Sequence, residues 1–440
     1  MRRFYGGSRA GDKINYAGMQ RRTFLSASLI GTSAAWAGAN DRLRTAVIGT
    51  GGRGLAHISN ILRASNTEIA VVCDPDANRM SKAASVVLEK TGKRPREIAD
   101  VRKVLEDKSI DAVSIASCNH WHAAGTIWAC QAGKHVLVEK PLCHNFEEGR
   151  KMVEAARRYN RIVQGGTQRR SSGGYRKAIQ LLHDGVIGDI YLSRWLLIGN
   201  RKSIGHQPPS PPPAHLDWNL WLGPAPDQPH HANLVHYNWH WFWDFGGGEM
   251  LNNGVHSHDI SRWGMRKGLP SRISSTGGRF VWNDQGQTPN TQNVSFEYED
   301  GTQIVGEVRD LQTPNDERAW YFYGTKGAMK ITDGGPGGPD NLKGAYQVFL
   351  NGSKTPEPDM GRLDDIDHHS NFFEAVRQNK RELLQDDVEQ LHLATAACLF
   401  ANISYRLRRE VRFDNAAQRF KSDDEANAML SRKARKPFSL

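Results

Sequence analysis

The run Leu43-Arg-Thr-Ala-Val-Ile48, followed directly by Gly49-Thr50-Gly51-Gly52-Arg53-Gly54 and a helical stretch over residues 55–64, decides the fold. Strand, glycine turn and helix in that order are the setting a dinucleotide fingerprint requires. Gly49 makes the tight turn, Gly51 lets the backbone approach a pyrophosphate, and Gly54 lets the helix pack close to the strand with its N-terminus facing the phosphates. A second strand, Glu68–Cys73, ends at Asp74, about 25 residues past the first glycine. A carboxylate there accepts hydrogen bonds from both adenosine ribose hydroxyls and repels a 2′-phosphate, so the expected cofactor is NAD in preference to NADP.

Working outward, the alternation of strand and helix continues. The pattern predicts a helix end at 102–107, a buried strand over 110–117, a helix over 122–132, a strand over 135–138, a helix over 146–159 and a strand over 161–164. The count is six strands in roughly 120 residues, the third of them without a fixed position, which is a doubly wound sheet with its ligand site beyond the carboxyl ends of the strands. Two strand ends carry reactive side chains: Asn119-His-Trp-His122 and Glu139-Lys140-Pro141.

Strand composition recurs at 190–198 and 294–298, and again at 302–308 after the hairpin signal Asp300-Gly301. A strand over 319–323 leads to a turn at 324–327, Gly334–Gly338 reads as a loop, and 366–379 and 385–408 read as helices. Between residues 199 and 245 lies a segment dense in Pro, His and Trp, including Pro211–Pro213, Trp218, Trp221, Trp239, His240, Trp241 and Trp243. A connection that long inside a domain is functional or disordered, and its aromatic density argues against disorder. Two readings of it stay open: indole faces and imidazole edges suit sugar rings, and the same aromatics suit covering a sheet or a subunit contact.

At 440 residues the chain favours two or three domains. With 38% hydrophobic and 24% charged residues it falls in the globular class, and no stretch approaches the roughly 18–20 apolar residues of a membrane span. The formal charge of +11 falls to +6 once residues 1–40, with six basic side chains and one acid, are set aside. That remainder is scattered, so nucleic acid is not an expected partner. Five cysteines without metal-ligand spacing read as small buried hydrophobes, and no metal site is expected. Residues 1–40 read as an address: Gln20-Arg-Arg-Thr-Phe-Leu-Ser, fifteen uncharged residues from Leu25 to Ala39, and small-x-small options at Ala35–Ala37 and Ala37–Ala39. This resembles a twin-arginine export signal, with Gln20 where Ser or Thr is usual and with Met19 as an alternative start. It implies export to the periplasm in the folded state.

Gly49–Gly54, Asn119-His-Trp-His122 running into Ala132-Gly-Lys-His-Val, Glu139-Lys140-Pro141 and Gly246-Gly-Gly-Glu-Met-Leu-Asn-Asn-Gly-Val-His256-Ser-His-Asp259, in that order, resemble the glucose–fructose oxidoreductase, inositol dehydrogenase and MocA (Gfo/Idh/MocA) family over nearly all of residues 43–410. The resemblance implies an α/β fold: a Rossmann domain (41–167) followed by an α/β domain (168–440, with the insertion 199–245) built on a large, open, mostly antiparallel sheet, and assembly into a homodimer or homotetramer. It assigns cofactor contacts to Gly49, Thr50, Gly51, Gly52, Arg53, Gly54, Asp74, Ser117, Asn119, His122, Glu139 and Lys140. It assigns substrate contacts, for a sugar, polyol or glycoside, to Arg169, His240, Trp241, Asn252 and His256, with Lys140, Asn252 and His256 carrying the chemistry.

Alcohol oxidation needs a group that takes the hydroxyl proton, and Lys140 and His256 are the candidates. Many relatives carry Asp four residues before that histidine where this chain has Asn252, and an amide binds a hydroxyl but relays no proton. Proton traffic is therefore expected on His256, with Lys140 polarising the hydroxyl, His258 structural and Asp259 orienting its neighbours. An exported enzyme has no soluble NAD pool, so a retained nucleotide must be restored within each cycle. A paired oxidation and reduction of two sugars does this, and so does the redox-neutral route of the family's NAD-dependent glycosidases, by oxidation, elimination, hydration and re-reduction. Outside enzymology, the alternative is a nucleotide-bound binding or assembly protein.

Overall fold

A computed structural model describes residues 42–311, 316–333 and 344–439. The export leader expected over residues 1–40 and the loop expected at Gly334–Gly338 lie outside the described residues. The first sheet is parallel throughout, in the order β3-β2-β1-β4-β5-β6, from β1 (Leu43–Ile48), β2 (Thr67–Cys73), β3 (Arg96–Ile98), β4 (Ala112–Ile115), β5 (His135–Val138) and β6 (Val163–Gly165). Its central strands are apolar on both faces because helices cover both sides: α1 (Gly52–Ile61), α2 (Ala77–Thr91), α3 (Val101–Leu105), α4 (Asn119–Gln131) and α5 (Phe146–Arg158). The order reverses between β1 and β4, which opens the ligand crevice at their carboxyl ends.

Local chemistry sets the helix starts. Asp76 accepts from the backbone N–H of Asn78 and Arg79 at the head of α2, and Asn145 accepts from that of Glu148 at the head of α5. The helix expected from residue 122 begins instead at Asn119, so the strand-end motif Asn119–His122 forms the first turn of α4. The strand left unplaced in the sequence is β3, a short edge strand whose exposed Arg96 and Glu97 give no apolar signal.

After α6 (Gly173–His183) comes the second sheet, nine strands in the order β13-β12-β11-β7-β10-β9-β8-β14-β15. Its members are β7 (Ile190–Ile198), β8 (Arg272–Gly278), β9 (Thr291–Glu297), β10 (Gln303–Arg309), β11 (Ala319–Gly324), β12 (Gly327–Thr332), β13 (Ala345–Leu350), β14 (Val411–Asp414) and β15 (Arg419–Phe420). All pairings are antiparallel except β7 with β10. One face buries Trp195, Phe296, Ile304, Trp320 and Phe322. Helices α8 (Val255–Met265) and α10 (Val388–Leu407) cover that face, and α10 is buried nearly all round because it also packs on α5 of the first domain. A short α7 (Trp218–Leu222) lies within the insertion, and α9 (His368–Gln378) packs on α1. All five cysteines are free, four of them buried, and no helix among the described residues is long and apolar enough to cross a membrane.

Candidate active site

Two backbone constraints explain the glycine run. Gly49 has φ of +82°, a left-handed conformation that disfavours side chains, and a Cβ on Gly54 would sit 1.9 Å from the Gly49 carbonyl oxygen. The resulting turn opens onto a cleft of about 400 Å³ whose lining includes Gly49, Gly51, Gly52, Arg53, Asp74, Ser117, Asn119, Glu139, Lys140 and Asn252. Thr50 and Gly54 act from behind it. Asp74 accepts from the Thr50 backbone N–H at 2.7 Å and its hydroxyl at 3.1 Å, which fixes the turn. Burial raises the Asp74 pKa despite these bonds. His122 does not line the cleft: its ring nitrogens lie 2.7 Å from the Pro141 carbonyl and 3.0 Å from that of Ser117, so it braces the two strand ends that do.

The residues fit NAD. The unencumbered N-terminus of α1 and the close-approach glycines suit a pyrophosphate, and Asp74 stands at the ribose position. Asn119, which lines the cleft, and His240 and His256, which do not, each carry a buried side-chain nitrogen without a hydrogen-bond partner.

Glu139 organises the floor. Its carboxylate accepts from Arg53 at 2.6 Å and from Gln168 at 2.9 Å, and lies 3.0 Å from His57 Nε2. Burial opposes its charge, but Arg53 and His57 prevail and hold it well below the usual carboxylate range. Next to it, Lys140 reaches across to the second domain and donates from Nζ to the Asn252 carbonyl. Burial depresses the Lys140 pKa, opposed by Glu139 and Glu249 and assisted by Arg53 and Arg169. His256 is pushed well below its usual value by burial and then by Arg169 and Lys140. A histidine held neutral this firmly is a weak base, which disfavours the proton-accepting role expected of His256.

Asn252 and Asn253 sit in a π-helical turn, Met250–Gly254, and both amides donate to Glu249, at 3.0 and 2.6 Å. Such turns are concentrated at functional sites. Glu249 is 2% exposed and is paired with Arg201, whose guanidinium also donates to the Tyr237 hydroxyl at 2.9 Å. Burial works against the Glu249 charge and Arg201 overcomes it, so its pKa is lowered. Glu249, Arg201 and Tyr237 were not singled out in the sequence. Glu249 stands three and four residues before the two asparagines, a spacing that places it on their helix face.

Arg169 lies over the Trp320 ring and is paired with Asp333, beside Lys140 and His256. His240 is buried next to Glu249, with Nδ1 2.7 Å from the Tyr237 carbonyl, and burial drops its pKa to about 4. Trp241 is different. It is 2% exposed, packed against Trp282 and covered by Arg279, and does not line the cleft. The expected substrate contact is corrected to a packing role, because an indole that fills a core has no free face for a sugar. His258, also fully buried, packs on Phe296, and Asp259 takes a bidentate bond from Arg170 at 2.7 and 2.7 Å.

Most aromatics of the 199–245 insertion build its own small core of Leu216, Trp221, Leu234, Trp241, Phe242 and Phe245. That core leans on the dinucleotide domain. Ala77 and Asp217 exchange backbone bonds with His215 and Pro75, and His236 Nε2 lies 2.8 Å from Asp76. Trp221, His236, Tyr237 and Trp239 thereby form a wall of the cleft.

Comparison with known proteins agrees with this geometry. The family model described as "Oxidoreductase family, NAD-binding Rossmann fold" (GFO_IDH_MocA) matches residues 43–167, and that of the family's C-terminal alpha/beta domain matches residues 195–440. The chain is 36% identical over 148 residues to inositol 2-dehydrogenase 3 of Saccharopolyspora erythraea, covering 33% of this chain and 42% of that protein. It is 28% identical over 157 residues to glycosyl hydrolase family 109 protein 1 of Akkermansia muciniphila, covering 34% and 32%. The matched stretch spans less than half the length of these curated relatives. Among solved structures, the fold is similar to the WlbA dehydrogenase of Bordetella pertussis, in complex with NADH and UDP-GlcNAcA, at TM-score 0.64 and 17% identity over 85% of this chain and 99% of that one. It is also similar to aldose-aldose oxidoreductase of Caulobacter crescentus, at TM-score 0.63 and 15% identity over 84% of this chain and 100% of that one.

Proposed function

Because this chain belongs to the Gfo/Idh/MocA oxidoreductase family, we propose that it oxidises a secondary hydroxyl of a sugar, polyol or glycoside, with Lys140 receiving the hydroxyl proton. NAD, when bound, supplies the hydride acceptor. The observation that carries the reading is the position of Lys140: half-buried, at the mouth of the dinucleotide cleft, with Nζ aimed at the second domain. Its lowered pKa makes the neutral amine accessible, as a proton acceptor requires. The Asn252 carbonyl holds the ammonium until a substrate hydroxyl takes its place. His256 remains neutral and hydrogen-bonds the same hydroxyl through a ring nitrogen, and Asn252 is held to Glu249 beside it.

Retention of the nucleotide is part of this proposal. The insertion wall at Trp221, His236, Tyr237 and Trp239 supports it, and the export-type leader makes it necessary. Internal recycling then proceeds by reduction of a second sugar, or by the redox-neutral glycoside route that the resemblance to a family 109 glycosyl hydrolase supports. A homo-oligomer is supported by the uncovered face of the nine-stranded sheet, with half-buried Leu192, Leu196, Tyr321 and Tyr323.

The test is the absorbance of the purified protein near the reduced-nicotinamide band, before and after mixing with a panel of sugars, polyols and glycosides. One or more of them reduces the bound nucleotide. Lys140→Met keeps the nucleotide content and loses the response; a variant that still responds contradicts the assignment.

A further inference from the structure

The substrate side of the site is ringed by charge, and all but one of its cations are engaged. At one edge of the sheet β12, β7 and β10 end and β11 begins, as neighbours. By strand alternation, Asp333 follows Met329 and Ile331 on the helix-covered face, Arg318 precedes Trp320 and Phe322, and Asp310 follows Ile304 and Val308. Arg201 follows β7, with its backbone N–H bonded to the Asp310 carbonyl at 3.0 Å. Arg169 holds Asp333, Arg201 holds Glu249, Arg53 holds Glu139 and Lys140 holds the Asn252 carbonyl. Arg318 differs. Its Nε donates to the Ile198 carbonyl at 2.9 Å, and its two terminal nitrogens meet no acceptor among the described residues.

No acid among the described residues forms an ion pair with it, and Asp333 and Glu249 support its charge only from a distance. Asp310 is 2% exposed with Oδ2 unpartnered, and burial followed by the Glu249 charge raises its pKa, favouring the protonated form. Arg318 is itself half-buried, with Arg169 and Arg201 opposing its charge and Asp333 and Glu249 supporting it. A half-buried guanidinium with its fork open is complementary to a planar carboxylate.

We propose that the substrate is an acidic sugar or polyol and that Arg318 grips its carboxylate while Lys140 faces the reacting hydroxyl. The proposal rests on the reading of Lys140 given above and names the substrate class for the same site. Neighbouring Arg201 and Arg169 keep their own acids and contribute field rather than direct contacts.

Isothermal titration of the NAD-loaded protein with D-glucuronate, D-galacturonate and D-gluconate, each against its uncharged counterpart D-glucose, D-galactose or D-glucitol, tests this. At least one acid binds about tenfold or more tightly than its counterpart, Arg318→Gln removes that preference, and Arg318→Lys keeps part of it because the charge remains while the fork is lost. Nucleotide content reports that each variant is folded. Equal binding within every pair, or a preference that survives Arg318→Gln, overturns the proposal. Glucose 6-phosphate bound as tightly as the acids overturns the assignment of a carboxylate. Acids that bind through Arg318 and leave the nucleotide oxidised support the anion site and sink the redox reading. Neutral sugars that reduce the nucleotide without any advantage for acids do the reverse.

Discussion

Lys140 Nζ lies 2.5 Å from the Asn252 carbonyl oxygen, so the amine at the end of β5 is held by the π-helical turn of the other domain. The two domains meet at the atom assigned to the reacting proton, and the electrostatics of both act on it.

One expected outcome concerns pH. A base acts unprotonated, so single-turnover reduction of bound nucleotide should rise with pH through a pKa below the usual lysine value of about 10.4. Glu249 favours the charged amine, and Glu249→Gln removes that support and frees the Arg201 cation nearby. Both effects lower the Lys140 pKa further, moving the rising limb to lower pH. An unmoved limb, or one displaced upward, would assign the titration to another group.

Restoring the carboxylate that many relatives carry should be harmful here. The Asn252 amide donates to Glu249, and Asn252→Asp sets two buried carboxylates face to face. A loss of about 1–3 kcal/mol in stability at pH 7 is expected, the cost of a buried group left without its partner. The double variant Asn252→Asp with Glu249→Gln recovers most of it, since the glutamine amide donates where Asn252 did. Thermal melts of the three variants decide this, and additive losses would contradict the pairing.

Asp74 holds the turn at Thr50, and the ribose contact expected of it separates from that role by experiment. Asp74→Ala should weaken NAD about tenfold or more, or ~1.4 kcal/mol, and NADP far less. Thr50→Val loosens the turn that Asp74 holds and should weaken both nucleotides alike. Equal losses of both nucleotides in Asp74→Ala would mean that the carboxylate acts only through the turn.

Acid should unfold the protein early. Burial drives the pKa of His120 and His258 to about 3 and those of His240, His368 and His392 to about 4. The unfolded chain takes up these protons near pH 6.5. Stability is therefore fully present above pH 6.5 and is lost as pH falls from there toward the folded values, by at most about 3 kcal/mol for each histidine near 4 and about 5 kcal/mol for each near 3. Tm should be level from pH 7 to 9 and fall steeply below 6.5; a level Tm down to pH 4 would show that these imidazoles are charged in the folded state.

The Rossmann half was legible because its signals are local: β1, the glycine turn, α1 and Asp74 lie within one short stretch and report the site by themselves. Lys140 and His256 were legible through motifs. Arg201, Tyr237 and Arg318 were not, since the strands that bring them together, β7, β10 and β11, are neighbours only through the order of the nine-stranded sheet. Trp241 misled for a related reason: composition marks a segment as aromatic, but which rings face a ligand and which face one another depends on the insertion's own packing.

That insertion, tied to Asp76 through His236 at one end and delivering Arg201 and Tyr237 at the other, has an evolutionary consequence. A single stretch of chain lines the dinucleotide cleft and carries Arg201 and Tyr237, so under the proposed function coenzyme retention and substrate preference should change together. Exchanging this segment with that of a relative should transfer substrate preference and coenzyme off-rate as one unit, and drift within it cannot retune either trait alone.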